Sequence, residues 1–528
     1  MRSLVRFFTA VSLTCFAASP LIAAPRPDRL GKVNFPTSCS AAVQPEIEKS
    51  VALLHSFQYT EADQTFTDVA TRDPKCAMAH WGRAMAQYYQ LWEFPDAKQM
   101  KTGRQEIEKA KKLHPGTARE QGFVNAAALV FQKKKMSHEA HIRAYSGALE
   151  KMYAQNSGDV EIASFYALSR VALGYEVQDD KEDMRLFREA IAILEPLLKA
   201  HPDHPGVAHY LIHAADQPEL AAQGLEAARL YAGIAPDSSH ALHMPSHIFS
   251  RLGLWQDSIA SNIAAQASGA QAAGMHHAES HYQTHAMNYL SYAYLQSGQE
   301  AKAREVIEQA DKVVGANDEQ KAHVRAFLTA RTALELHRWK EAAALPAPQD
   351  STAEDMTILV RAIGAAHLGD VAEAESAVKL LTQQVAQREK AAKKAGYVLS
   401  GGKATDLAEA EAWLAFAKGN TDAAISELRS AADLEDKNGG EGVEMTAREM
   451  LADMLLETKR TSEAIAEYNL SLKHSPSRFD GLLGAARAAQ AAGDTTAAQS
   501  FYAKLAEVCG AGADRPELNE AKTFLASK

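Results

Sequence analysis

A two-part pattern recurs along this chain and limits its possible folds more than any other feature. Residues 57–74 read FQYTEADQTFTDVATRDP, with Tyr59, Ala62, Phe66 and Pro74 at helical spacing. Residues 460–476 read RTSEAIAEYNLSLKHSP and put Ala464, Tyr468 and Pro476 at the same offsets. The second half of the pattern returns at 295–310, 367–381, 415–434 and 491–505. Alanine stands where helices cross closely, and an aromatic fills the gap between units. One such pair cannot bury its own apolar faces, so successive pairs must stack. Period-two runs of β-branched residues, the mark of strands, are nearly absent.

The expected fold is therefore all-α, a tetratricopeptide-type α-solenoid of about eleven helical pairs between residues 40 and 525. Breaks in the spacing at 91–96, 271–283, 346–356 (PAPQDSTAEDM) and 435–445 read as insertions or surface loops. They suggest an N-terminal array over 40–345 with a histidine-rich centre at 201–285, a linker at 346–356, and a C-terminal array over 357–525. Acidic residues outnumber basic ones by 66 to 56, a net charge of -10, and there is no long basic run. Nucleic acid and anionic membranes are poor partners for such a chain.

Residues 1–24 read as a secretory signal peptide. Arg2 and Arg6 precede an apolar run from Phe7, closed by Ala23 and Ala24, and an extended segment (25–39) follows. No later stretch approaches the ~18 apolar residues of a membrane span, so a periplasmic or secreted location is expected. In an oxidising compartment Cys39 and Cys76, about one repeat length apart, would form a disulfide or remain two buried thiols. Cys509 has no evident partner.

Histidine is unevenly spread: of 20 in the chain, 11 lie between His201 and His285. His209 and His213 are spaced i, i+4, and His243 and His247 repeat that pair one repeat length later. Both rings of each pair leave one helix face, so neighbouring hairpins would aim four imidazoles at one hollow. His277, His281 and His285 continue the stripe on a first helix that the 271–283 insertion would lengthen. His55 holds a groove-facing repeat position far away in sequence, and Pro245 interrupts the helix between His243 and His247. Imidazoles at this spacing suit a divalent metal such as zinc, copper or iron. Asp216, Glu219, Asp257 and Glu279 are candidates to orient a ligand ring. The alternatives are histidines that contact a peptide, bond backbone carbonyls or respond to pH. Phosphate-binding loops, nucleophile elbows, HExxH and CxxC are absent from the sequence, so any enzymatic activity would have to be metal-dependent.

The stretches ALLHSFQYTEA (52–62), DPKCAMAHWGRAMA (73–86), HPDHPGVAHYLIHAADQPELA (201–221), HALHMPSHIFSRLGLW (240–255), AWLAFAKG (412–419) and AREMLADMLLE (447–457) resemble a broad group of exported bacterial tetratricopeptide-repeat proteins. The resemblance spans nearly the whole chain after its leader. It implies an α-solenoid, places His209, His213, His243 and His247 inside the signature, and transfers no activity. The chain departs from the group at 437–446, where relatives are expected to carry a His-Pro-containing loop. Two functions follow as expectations: a scaffold that binds an extended peptide or protein in its concave groove, or a metal-binding protein built on the histidine cluster. Ring geometry separates them, because ligand nitrogens around one ion lie about 3–4 Å apart.

Overall fold

The computed structural model describes residues 29–91, 94–133, 136–177, 180–276, 280–346, 355–395, 402–439, 442–510 and 512–527. Residues 1–24, expected as a leader, and most of 346–356, expected as a linker, lie outside them. Every regular element among the described residues is helical. Among the described residues twelve helical pairs, in line with the expected number of about eleven, run from Gln44–His55 with Tyr59–Arg72 to Phe479–Ala491 with Thr495–Cys509, and Leu518–Ala526 follows. No described helix is long and apolar enough to cross a membrane.

The repeat signature acts through close packing of aromatics on glycines. In Tyr59–Arg72 the buried side chains Ala62, Phe66 and Val69 form one stripe. Phe66 lies so close over the next helix that a Cβ on Gly82 would come within 2.2 Å of its ring. Tyr468 and Gly484 repeat the arrangement near the other end of the chain, at 2.3 Å. A larger residue at either glycine would have to push the pairs apart.

The array is not an open strip, because both of its ends fold back on its middle. At the N-terminal side, Lys32 N–H donates to the Asp203 carbonyl at 2.9 Å, Arg29 pairs with Asp237, and Tyr282 donates to the Phe57 carbonyl at 3.1 Å. The Cys39–Cys76 disulfide, with Cα atoms 4.8 Å apart, fastens the extended segment to the second pair. At the C-terminal side, Trp255 Nε1 donates to the Ser477 carbonyl at 2.8 Å, and Phe479 N–H donates to Gln296 at 2.9 Å. Arg478 is fully buried between Glu335 (2.9 Å) and Glu449 (2.8 Å), with the Tyr292 hydroxyl at 2.6 Å. Stripping one partner from such a buried cluster typically costs about 3–5 kcal/mol. Residues 203–298 are thus a hub gripped from both directions. Cys509 is buried and unbridged, and burial pushes its thiol up to about 12.

Candidate metal centre

The hub carries two groups of three histidines. The inner one takes His209 and His213 from Pro205–Ala215 and His240 from Ser239–His243, all buried. Their ring nitrogens converge, with His209 Nε2 3.0 Å from both His240 Nε2 and His213 Nε2. The His55 carbonyl lies 2.5 Å from His209 Nδ1. A carbonyl can only accept, so Nδ1 carries the proton and the neutral His209 ring turns a lone pair on Nε2 toward its neighbours. Ligands around a tetrahedral ion at 2.0–2.1 Å sit about 3.3 Å apart, close to this spacing. Loss of solvent pushes His209 down to about 3 and holds His213 and His240 well below the usual imidazole range, so all three are in the neutral, ligating form.

Aromatic side chains wall this triad. The Phe57 ring lies 4.4 Å from His209, 5.5 Å from His213 and 5.6 Å from His240, centroid to centroid. Tyr231 stacks on His209 at 5.0 Å, and Tyr282 lies 6.0 Å from His240. Phe57 ends the turn after the first helix at φ 56°, a left-handed conformation that costs a non-glycine residue roughly 1–2 kcal/mol.

The outer triad joins His243 to His247 of Pro245–Arg251 and His285 of Ser280–Gln296. One ligand nitrogen from each lies within 4.8 Å of the others, and the Nε2 atoms of His243 and His247 are 3.0 Å apart. Pro245 ends one short helix and begins the next, but Met244 keeps helical angles (φ -53°, ψ -34°), so the two rings remain one turn apart. His243 Nδ1 lies 2.7 Å from Asn262 Oδ1, and His247 Nδ1 lies 2.8 Å from Asp216 Oδ2. Such partners fix the tautomer and aim Nε2 at an ion. Asp216 also accepts from Arg251 at 2.9 Å, and the Arg251 and His247 side chains hold its carboxyl well below the usual range against the opposing effect of burial. His285 is the exposed member of this triad. Across the two triads, His213 and His247, and likewise His240 and His243, have ring centroids 6.4 Å apart.

The four rings expected to share one hollow thus divide between two neighbouring triads. His240, absent from the sequence-based ligand set, completes the first; its only local signal is the i, i+3 spacing to His243. His285 completes the second. His281 joins neither triad: it is exposed, and its ring lies 3.9 Å from Tyr282. The 271–283 insertion lengthens the preceding helix, Trp255–His276, rather than the helix that carries His281 and His285, and His277 and Glu279 lie outside the described residues. Of the carboxylates, Asp216 orients a ring, whereas the Asp257 and Glu219 side chains are 46% and 70% exposed and pair with Arg229 and Arg188. Asp257 lies in the first turn of Trp255–His276, and Glu219 lies in the turn before Ala221–Ile234. His55 does not face a groove. It is fully buried, with Nε2 2.8 Å from Glu161 and Nδ1 2.8 Å from the Tyr210 hydroxyl. His204 Nδ1 accepts from Val207 N–H, so its Nε2–H donates to the other Glu161 oxygen at 3.0 Å. This His55–Glu161–His204 group braces the helix turn that supplies the carbonyl for His209.

No protein-family model and no curated protein sequence matches the chain. Solved structures similar to it include a human IFIT1 dimer with PPP-AAAA, 12% identical over 82% of this chain and 91% of that one, with a TM-score of 0.36. Yeast Tom70 is 10% identical over 90% of this chain and 87% of its own, with a TM-score of 0.28. A Naa15/Naa10 complex bound to HypK-THB is 12% identical over 91% of both chains, with a TM-score of 0.25. The chain is an all-α solenoid of tetratricopeptide-like pairs, and these likenesses extend no further than helix stacking.

Proposed function

We propose that this protein binds two divalent transition-metal ions, one in each histidine triad. One observation carries the reading: imidazole Nε2 atoms meet at 3.0 Å, those of His213 and His240 with His209 and that of His243 with His247, while the Nδ1 atoms of His209, His243 and His247 are engaged by a carbonyl, an amide oxygen and a carboxylate. Two imidazoles meeting nitrogen to nitrogen satisfy each other only when one of them donates. His209 Nε2 faces two rings at once, an arrangement that a cation relieves. An all-imidazole donor set suits zinc, copper or iron, and among divalent first-row ions copper binds nitrogen sites most tightly.

Export belongs to this reading. The leader-like first 24 residues and the Cys39–Cys76 bridge both support a periplasmic or secreted protein. A stack of helical pairs also offers long faces to a peptide or protein partner. Such a partner would bind away from the inner triad, which residues 55–59 overlie.

The test is elemental analysis of untagged protein after reconstitution with copper or zinc. Two equivalents are expected, with one lost in His240→Ala and the other in His285→Ala. Protein that stays metal-free at micromolar excess overturns the proposal.

A further inference from the structure

The two triads differ in how they meet solvent, and a three-nitrogen site that keeps a fourth position open is the arrangement of reactive rather than closed metal sites. In the inner triad, relative exposure is 0% for His209, 3% for His240 and 6% for His213. Phe57, Tyr231 and Tyr282 close around it. In the outer triad His243 is 3% exposed, the His247 side chain is 12% exposed, and His285 is exposed. Tyr289 packs beside the outer rings, with centroids 4.9, 4.6 and 5.3 Å from His243, His247 and His285. Its hydroxyl reaches 3.2 Å from His247 Nδ1 and adds a polar group to the edge of the site.

We infer that the outer triad is an open coordination site that takes a small exogenous ligand, whereas the inner triad is closed to it. The ligand class is a water molecule or hydroxide at rest, exchangeable for a small monovalent anion. The exchange is a plain substitution, in which one donor leaves the ion as another arrives and no electron moves. The inference rests on the two-ion reading above and assigns the two ions different roles. The outer ion meets what diffuses in, and the inner ion holds the hub together.

Azide on the copper(II)-loaded full-length chain tests this, with copper content measured first. The expected result is an azide-to-copper charge-transfer band that saturates at one azide per two coppers. His285→Ala should keep one copper and lose the band, and His240→Ala should lose one copper and keep it. A second measurement needs no variant: a soluble chelator should remove one equivalent quickly and the other at least tenfold more slowly. Saturation at two azides, a band that survives His285→Ala, or release of both ions at one rate overturns the inference. Two bound coppers without any azide band would overturn it while leaving the two-ion reading intact. Absence of copper would overturn both.

Discussion

The inner and outer triads use the same residue type, the same i, i+4 device and adjoining helices, yet they stand in different relations to water. The inner rings are roofed by Phe57, which belongs to the first helical pair, about 150 residues earlier in the chain. The outer rings have Tyr289 beside them and His285 at an exposed edge. Local helix spacing brings the nitrogens together in both. What separates them is which distant segment lies on top. Ligand geometry in this fold is a property of one or two repeats, and solvent access is a property of the whole stack.

The largest effect that breaks this contrast is expected from Phe57→Ala. Truncating a buried phenylalanine typically costs about 3–5 kcal/mol, read here from denaturant unfolding of metal-free protein. Chelator release of the inner ion should approach the outer rate; unchanged release would show that Phe57 is not the barrier. Next comes linkage. Metal at 1,000 times its dissociation constant should stabilise the native state by about 4 kcal/mol per site, and His240→Ala should abolish only the inner share. A smaller effect is expected from Asp216→Asn, which weakens orientation of His247. Loss of such a partner usually lowers metal affinity 10–100-fold, and competition titration should place the loss in the outer site alone.

The smallest effect sharpens the inner side through pH. His209 titrates near 6.5 when unfolded and is pushed down to about 3 in the fold. The unfolded chain therefore binds protons first as pH falls. This contribution to stability is complete above about pH 6.5 and drains away between there and about pH 3. His209→Gln should flatten the acid limb of metal-free stability by up to about 1.4 kcal/mol per pH unit in that window. A limb of unchanged slope would mean that His209 is already protonated in the native protein.

Much of this was legible in the residues. The aromatic and alanine spacing at 57–74 and 460–476 marks the helical pairs, because an aromatic needs a small partner on the next helix and the pattern records both. The paired histidines at 209/213 and 243/247 are equally local, and each does place its two nitrogens together. Their division into two triads was not legible, since it depends on how far the Ser239–His243 helix turns before Pro245, which brings His240 to the first pair and leaves His243 with the second. Nor was the environment of His55. Its neighbours Glu161, His204 and Tyr210 lie more than a hundred residues away and meet it only through closure of the superhelix. Asn262 and Tyr289 were missed for a more local reason: each is an ordinary helix residue until the helix packed against it presents His243 or His247.

That closure has a consequence for the protein as a unit. A linear repeat array can be trimmed from either end with graded loss, because each repeat leans only on its neighbours. Here Arg29 and Lys32 hold residues 203 and 237, while Arg478 and Phe479 hold 296 and 335. Cutting off the first or last pair would not merely shorten a rod; it would release one of the two grips on the middle, and loss of the first pair would also take Phe57 from over the inner histidines.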